Sequence, residues 1–490
     1  MSVRTTSRDT SPRRGALALP VIAAAQLLMV MDGTIVTVGL PNIGRGLGMA
    51  EADLSWVLTS YSLAFGGLLL PAGRAGDLFG RRRLFRVGLV MFIGASLLGG
   101  LAPNGEVLIA ARALQGITAA MIAPAALSLL ADAFPAGPRR DKALGLYGAM
   151  GGLGSVVGLL LGGALTEYLG WRWIMFVNVP IALAILLGTT ALPPGTRDRG
   201  GLDLPGGITA TLGLVSLIYM INRVGGHGWG ETLTIASAVT AAALLLVFVV
   251  IQRRARHPML PSAVLADRGR LGATLIMFLM GGGMLATFYF LTLYMQAINH
   301  YPPMLTGVAY LPMAVSIGVG SGVIGPNLQA ATSARTLTVT AMAVSALGMA
   351  WFSLLAPGQS PWVVLLPAQV VVGVGLGMGF VACTIAGVRG VARQQTGIAS
   401  GLINTSQQVG GAFGLALLAG LATRVSSGRP PGTPAPEALT AGYTAGLLAG
   451  VVAYLTATLV ATLTLTRREA EHSHEAVRLS AGINGSPQGS

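Results

Sequence analysis

The sequence predicts an all-α polytopic membrane protein with fourteen transmembrane helices, and three observations lead there. Hydrophobic residues make up 53% of the 490 and charged residues 10%, whereas an ordinary soluble domain is about a quarter charged. Apolar runs of roughly 20 residues, enough for a helix to cross a ~30 Å hydrocarbon core, recur along the chain between short charged connections. The basic residues are also sorted by side. With the N-terminus in the cytoplasm, the external connections hold only Arg45, Arg172, Arg223, Arg424 and Arg429, Arg112 lies inside a span, and the rest of the 31 Lys and Arg are cytoplasmic, counting Arg86 at the cytoplasmic end of span 3. That is the positive-inside pattern, so the net charge of +14 reads as topology and attraction to anionic headgroups, with no nucleic-acid partner.

Span 1, at 15–40, follows a polar tail, 1–14. Its apolar run is too long for the core of a signal peptide, so it reads as an uncleaved span. Within it, "MDGTIVTVGLP" carries Asp32, the one acid among 17 that falls deep in an expected span. Spans 2 and 3, at 54–73 and 84–102, are joined by "GRAGDLFGRRRLF". There Gly73, Gly76 and Gly80 predict a tight turn, and Asp77 can pair with Arg74, Arg81, Arg82 or Arg83. A positive-inside anchor would explain the arginines but not the acid and the glycines.

Span 4, at 106–130, carries Arg112, Gln115 and Gly116. Arg112 either snorkels to the headgroups or faces the bundle interior, where it needs a partner. Span 5, at 143–167, has Gly154, Gly158 and Gly162 on one face, with Gly163 adjoining. Such a stripe lets helices approach closely, either as static packing or as a surface on which two halves rock. Span 6 covers 173–192. Spans 7 and 8, at 205–222 and 233–251, are flanked by polar connections.

The remaining spans lie at 271–296, 303–325, 336–355, 361–386, 402–423 and 443–465. Six spans thus precede the central pair and six follow it. The expected organisation is a tail at 1–14, a six-helix half at 15–192, a two-helix insert with its connections at 193–270, a second six-helix half at 271–465 and a tail at 466–490. Glycine-rich span 13 holds the same place as span 5, a thin sign of internal duplication of the kind transporters use.

Several chemistries are excluded. The single cysteine, Cys383, permits no intrachain disulfide. "GVGSGVIG" and "GVGLGMGF" have no preceding strand and are not dinucleotide loops. All five histidines fall in connections or a tail, and there is no HExxH, GxSxG or Walker loop. No enzyme activity, metal or cofactor is expected.

These stretches together resemble the major facilitator superfamily, and within it the fourteen-span drug:proton antiporter branch. "GRAGDLFGRRRLF" is similar to the cytoplasmic signature between spans 2 and 3, with Ala75 and Leu78 departing from its usual larger apolar and basic residues. "MDGTIVTVGLP" resembles the span 1 signature, Arg112, Gln115 and Gly116 that of span 4, "WRWIMFVNVP" the entry to span 6, and "QQTGIASGLINTSQQVGGAFG" the approach to span 13. The span 5 signature usually has Gly-Pro-x-x-Gly-Gly, and here Leu159 replaces the proline associated with a bend and with export.

The resemblance implies a major facilitator fold and a proton-coupled exporter of small amphipathic compounds such as antibiotics, dyes or lipophilic cations. It would work by alternating access as a monomer in a bacterial inner membrane, with both termini cytoplasmic, driven by the proton gradient. Asp32 and Arg112 would form the proton or cation site, and Gly73, Asp77, Gly80, Arg81 and Arg82 a cytoplasmic gate. Gly154, Gly158, Gly162 and Gly163 would form the moving seam, while Gln26, Tyr61, Gln115, Asn404, Gln407 and Gln408 are candidates for the substrate cavity. An ionised aspartate at the bilayer centre costs about 2.5–3.5 kcal/mol on insertion scales. Closing such a site to water therefore favours protonation and opening it favours release. The plainer alternative is a satisfied polar residue that pins a neighbouring helix. Two functional rivals remain: a proton-coupled importer of the same fold, and a membrane sensor or lipid-handling protein that transports nothing.

Overall fold

The computed structural model describes residues 12–134, 137–193, 203–227, 229–255, 267–389, 391, 396–430 and 432–465; both tails beyond these bounds lie outside the description. Among the described residues the chain is helical without strands. The helices are α1 (Pro12–Leu47), α2 (Glu51–Phe79), α3 (Arg81–Gly100), α4 (Gly105–Ala133), α5 (Pro138–Tyr168), α6 (Trp173–Phe176), α7 (Asn178–Gly188), α8 (Leu204–His227) and α9 (Thr232–Arg254). There follow α10 (Arg268–Leu293), α11 (Pro303–Ala309), α12 (Leu311–Val319), α13 (Gly325–Ala331), α14 (Ala334–Phe352), α15 (Leu365–Val388), α16 (Thr396–Ser427) and α17 (Ala435–Thr464). Two π-helical turns, Tyr294–Ile298 and Gly320–Ile324, extend α10 and join α12 to α13.

Twelve of the described helices are long and apolar enough to cross a membrane. The segments expected as spans 7 and 11 are helical but fall outside that set. The first is apolar only over Pro205–Ile221, and α14 holds Arg335 and several hydroxyl residues within its 19 positions. Large apolar side chains such as Val90, Leu187, Leu246 and Leu459 lie exposed. In water such a surface would drive aggregation, whereas against lipid it is the required solvent face.

The helices fall into two compact units. The first comprises the described residues within 1–214, 243–259 and 302–308, and the second those within 215–242, 260–301 and 309–490. The expected insert at 193–270 is thus shared between the units. In the first unit, α5 lies on α1, and α2 and α3 lie on α4. In the second, α16 and α17 lie on α10, and α12 and α14 on α15.

The stretch 73–85 is not the loop its composition suggests. Helix α2 continues through Gly73 and Gly76 to Phe79, and α3 begins at Arg81. Gly80 alone makes the corner, with φ +97°, a backbone conformation that a side chain opposes. Where helix ends need acceptors for their free N–H groups, short polar side chains supply them. Asn104 Oδ1 accepts from Val107 N at 3.0 Å, Asp267 from Arg270 N, and Ser333 from Thr336 N.

Candidate functional site

Polar groups from α1, α2, α3, α4 and α7 converge at one point inside the first unit. Arg112 and Gln115, three residues apart on α4, share a helical face, and that face is turned to Asp32 on α1. Arg112 NH1 donates to Asp32 Oδ2 at 2.9 Å and to Gln115 Oε1 at 2.8 Å. Gln115 Nε2 donates to Asp32 Oδ1 at 3.1 Å and to Ser96 Oγ on α3 at 2.9 Å. Asn178, the first residue of α7, donates from Nδ2 to Asp32 Oδ1 at 2.7 Å. All five side chains are at 0% exposure.

Helix α2 completes the setting of the guanidinium. Arg112 Nε donates to Val57 O at 3.3 Å, and its Cζ lies 4.4 Å from the centre of the Tyr61 ring, a cation–π arrangement. This approach depends on Gly116, where a Cβ would strike Tyr61 O and come within 3.1 Å of Phe65 N. Arg112 is therefore not snorkelling: it faces the interior and is held by a carboxylate, an amide, a carbonyl and a ring.

A buried ion pair persists only when further hydrogen bonds offset its desolvation. Here Asp32 accepts three and Arg112 donates three. In chemical terms a carboxylate so placed can keep its charge against Arg112 or take up a proton, whereas the guanidinium stays charged.

At the Gly80 corner a second cluster ties four helix ends together. Arg81 donates to Asp77 Oδ1 from Nε and NH2, at 3.1 and 2.9 Å, and from NH1 to Asp132 Oδ1 at the end of α4, at 2.8 Å. Arg82 NH2 reaches Thr190 O, and Arg86 Nε reaches Thr189 Oγ1 at 2.7 Å, just beyond α7. The predicted pairing of Asp77 with an arginine is present, and Arg81 is the arginine that makes it.

Gly154, Gly158 and Gly162 face α1 of the same unit. Cβ atoms there would meet Leu27 O at 2.8 Å, Met31 O at 2.9 Å and Ile35 O at 2.5 Å. Gly163 lies instead against Pro303 O and Met304 Cα, which belong to the same unit. Of the residues expected to line a cavity, Tyr61 and Gln115 belong to the ion-pair cluster. Gln26 borders Gly151 on α5, Asn404 is exposed and donates to Ser400 O, and Gln407 and Gln408 are half-buried on α16.

Sequence reasoning missed Ser96, Asn178, Asp132, Thr189 and Thr190. Asn178 stood inside the quoted "WRWIMFVNVP" but carried no charge to distinguish it. Asp132 could have been found as the acid that ends an apolar run facing a cluster of arginines.

A model of the Major Facilitator Superfamily matches residues 22–415. The chain is 47% identical to the puromycin resistance protein pur8 of Streptomyces alboniger over 412 residues, covering 83% of this chain and 81% of that protein. It is 39% identical to the cephamycin export protein CmcT of Amycolatopsis lactamdurans, covering 87% and 88%. To the lincomycin resistance protein of Streptomyces lincolnensis it is 31% identical, covering 85% and 86%. Among solved structures, a bacterial homolog of the human lysosomal transporter Spinster superposes with a TM-score of 0.67 at 15% identity, covering 93% of this chain and 97% of that one, a likeness of fold.

Proposed function

The chain belongs to the Major Facilitator Superfamily, and from that membership we propose that it is a proton-coupled exporter of amphipathic organic compounds in the size range of antibiotics. Transport rather than catalysis follows from the family. The efflux direction is supported by relatives whose names are of puromycin and lincomycin resistance and cephamycin export. In this reading it is a fourteen-span monomer of a bacterial inner membrane, with both termini cytoplasmic and two six-helix halves, 15–192 and 271–465, around an insert.

Proton coupling rests on one observation: an aspartate fully buried within a candidate span, paired with Arg112 and encircled by neutral hydrogen-bond donors. An intramembrane acid of this kind is a functional residue by default. Protonation of Asp32 releases Arg112 and lets the site rearrange; access to water on the other side restores the pair and expels the proton. The Asp77–Arg81–Asp132 cluster would hold the cytoplasmic side closed in one state. The driving force suffices, since about 100 mV gives ~2.3 kcal/mol per charge and one pH unit about 1.4 kcal/mol. Together they sustain a gradient of roughly several hundredfold in a neutral compound per proton.

Direction is tested with inside-out vesicles from cells expressing the protein, given labelled puromycin or a lipophilic dye. Energised accumulation that a protonophore abolishes is the expected result. Leu159, fully buried in an α5 without internal proline, favours the rival importer, and expulsion of preloaded compound from the same vesicles would select it.

A further inference from the structure

The two units repeat one another in register, and the repeat reveals a second polar site. In the first unit Gly154 approaches Leu27 O and Gly158 approaches Met31 O and Cα. In the second, Gly410 and Gly414, also four residues apart, approach Phe278 O and Gly282 Cα. Matching α1 to α10 on these contacts pairs Met31 with Gly282, and so Asp32 with Gly283.

The other helix pair matches atom for atom. A Cβ on Gly116 of α4 would meet Tyr61 O, Ala64 Cβ and Phe65 N. One on Gly373 of α15 would meet Met313 O, Ser316 Cβ and Ile317 N, the same atoms at the same spacing. Four residues earlier on each helix stand Arg112 and Gln369. The second unit therefore has glycine at the acid's position and glutamine at the arginine's.

Gln369 is fully buried, yet neither its Nε2 nor its Oε1 has a hydrogen-bond partner. Tyr454 of α17 is also fully buried with an unpartnered hydroxyl, and it covers Gly283, whose Cβ would lie 2.6 Å from the Tyr454 oxygen. It stands over Gly283 as Asn178 of α7 stands over Asp32. An unpaired buried polar group is destabilising, and the surrounding hydrocarbon offers no compensation.

We propose that Gln369 and Tyr454 share an internally bound water in a neutral counterpart of the Asp32 site. Glycine for aspartate and glutamine for arginine shorten both facing side chains, leaving room that the Tyr454 ring and a small ligand fill. A buried water typically makes about three hydrogen bonds, and Gln369 Nε2, Gln369 Oε1 and the Tyr454 hydroxyl supply three groups. The site binds an uncharged hydrogen-bonding ligand and exchanges no charge, whatever the substrate or direction of transport.

Radiolytic hydroxyl labelling of the full-length protein in lipid nanodiscs tests this, because a buried side chain is oxidised efficiently only beside bound water. Tyr310 is the internal control: it is equally buried, with its oxygen bonded to Thr292 Oγ1 at 2.8 Å and Phe288 O at 2.7 Å. In the unmodified protein Tyr454 should label severalfold faster than Tyr310; labelling no faster than Tyr310 overturns the proposal. In Gln369→Leu the Tyr454 rate should fall to that of Tyr310, and an unchanged rate overturns the shared water.

Discussion

Asp32 and Arg112 are unequal partners, because a carboxylate can take up a proton and become neutral whereas a guanidinium cannot lose one. Arg112→Gln leaves an acid that protonation can neutralise; Asp32→Asn leaves a buried cation that nothing can. Breaking a buried pair costs about 3–5 kcal/mol. Thermal unfolding of the purified protein should therefore show a larger loss for Asp32→Asn than for Arg112→Gln. The double variant Asp32→Asn/Arg112→Gln should recover most of it, and additive losses would contradict this. Asn178→Leu removes a hydrogen bond to a charged group and should cost about 1.5–3 kcal/mol by the same measurement. A lone charge in an apolar run made Asp32 and Arg112 legible in the sequence. Ser96 and Asn178 were not, because small neutral polar residues recur in spans without distinction and only the fold shows which one faces the acid. Gln115 was visible as a candidate for the cavity, but its bonds to Asp32 and Arg112 were not, since spacing along α4 reveals a shared face and not what that face meets.

At the scale of elements, glycines fall into two kinds that sequence does not separate. Gly162 sits against the Ile35 carbonyl, whereas Gly152 on the same helix has nothing within 4 Å of its Cβ position. Gly162→Ala should push α5 off α1 and lower the unfolding temperature, while Gly152→Ala should leave it unchanged or raise it slightly, since alanine favours the helix by about 1 kcal/mol. A similar loss in both would show that the carbonyl contact is not what matters. The same distinction explains the misread corner. Gly73, Gly76 and Gly80 look alike as residues, but α2 absorbs the first two and only Gly80 has positive φ. Asp77→Asn leaves Arg81 its bond to Asp132. Because both acids are partly exposed, the expected stability change is within about 1 kcal/mol, and the consequence should appear in the transport rate. A large loss of stability in that variant would make the cluster a structural clamp.

For the molecule as a whole, composition and the sorting of basic residues were enough to foresee an all-helical multi-pass chain, while the family was legible only in the motifs that resemble its signatures and is shown by the match over residues 22–415. The count of spans was less legible, because α14 and the apolar part of α8 fall at the margin of length and hydropathy where packing decides. Equally hidden was the register of the repeat. It rests on which backbone carbonyl each glycine approaches, and it leaves the second unit with Gly283 and Gln369 where the first has Asp32 and Arg112. Coupling through one charged site in one unit is the central claim, and it is tested most directly by imposing an acid-inside gradient on sealed inside-out vesicles and adding a transported compound. The native protein should discharge the gradient on addition, and Asp32→Asn/Arg112→Gln, once thermal unfolding shows it folded without the buried charges, should not. Discharge by both proteins at equal rates would contradict the claim and place coupling away from Asp32.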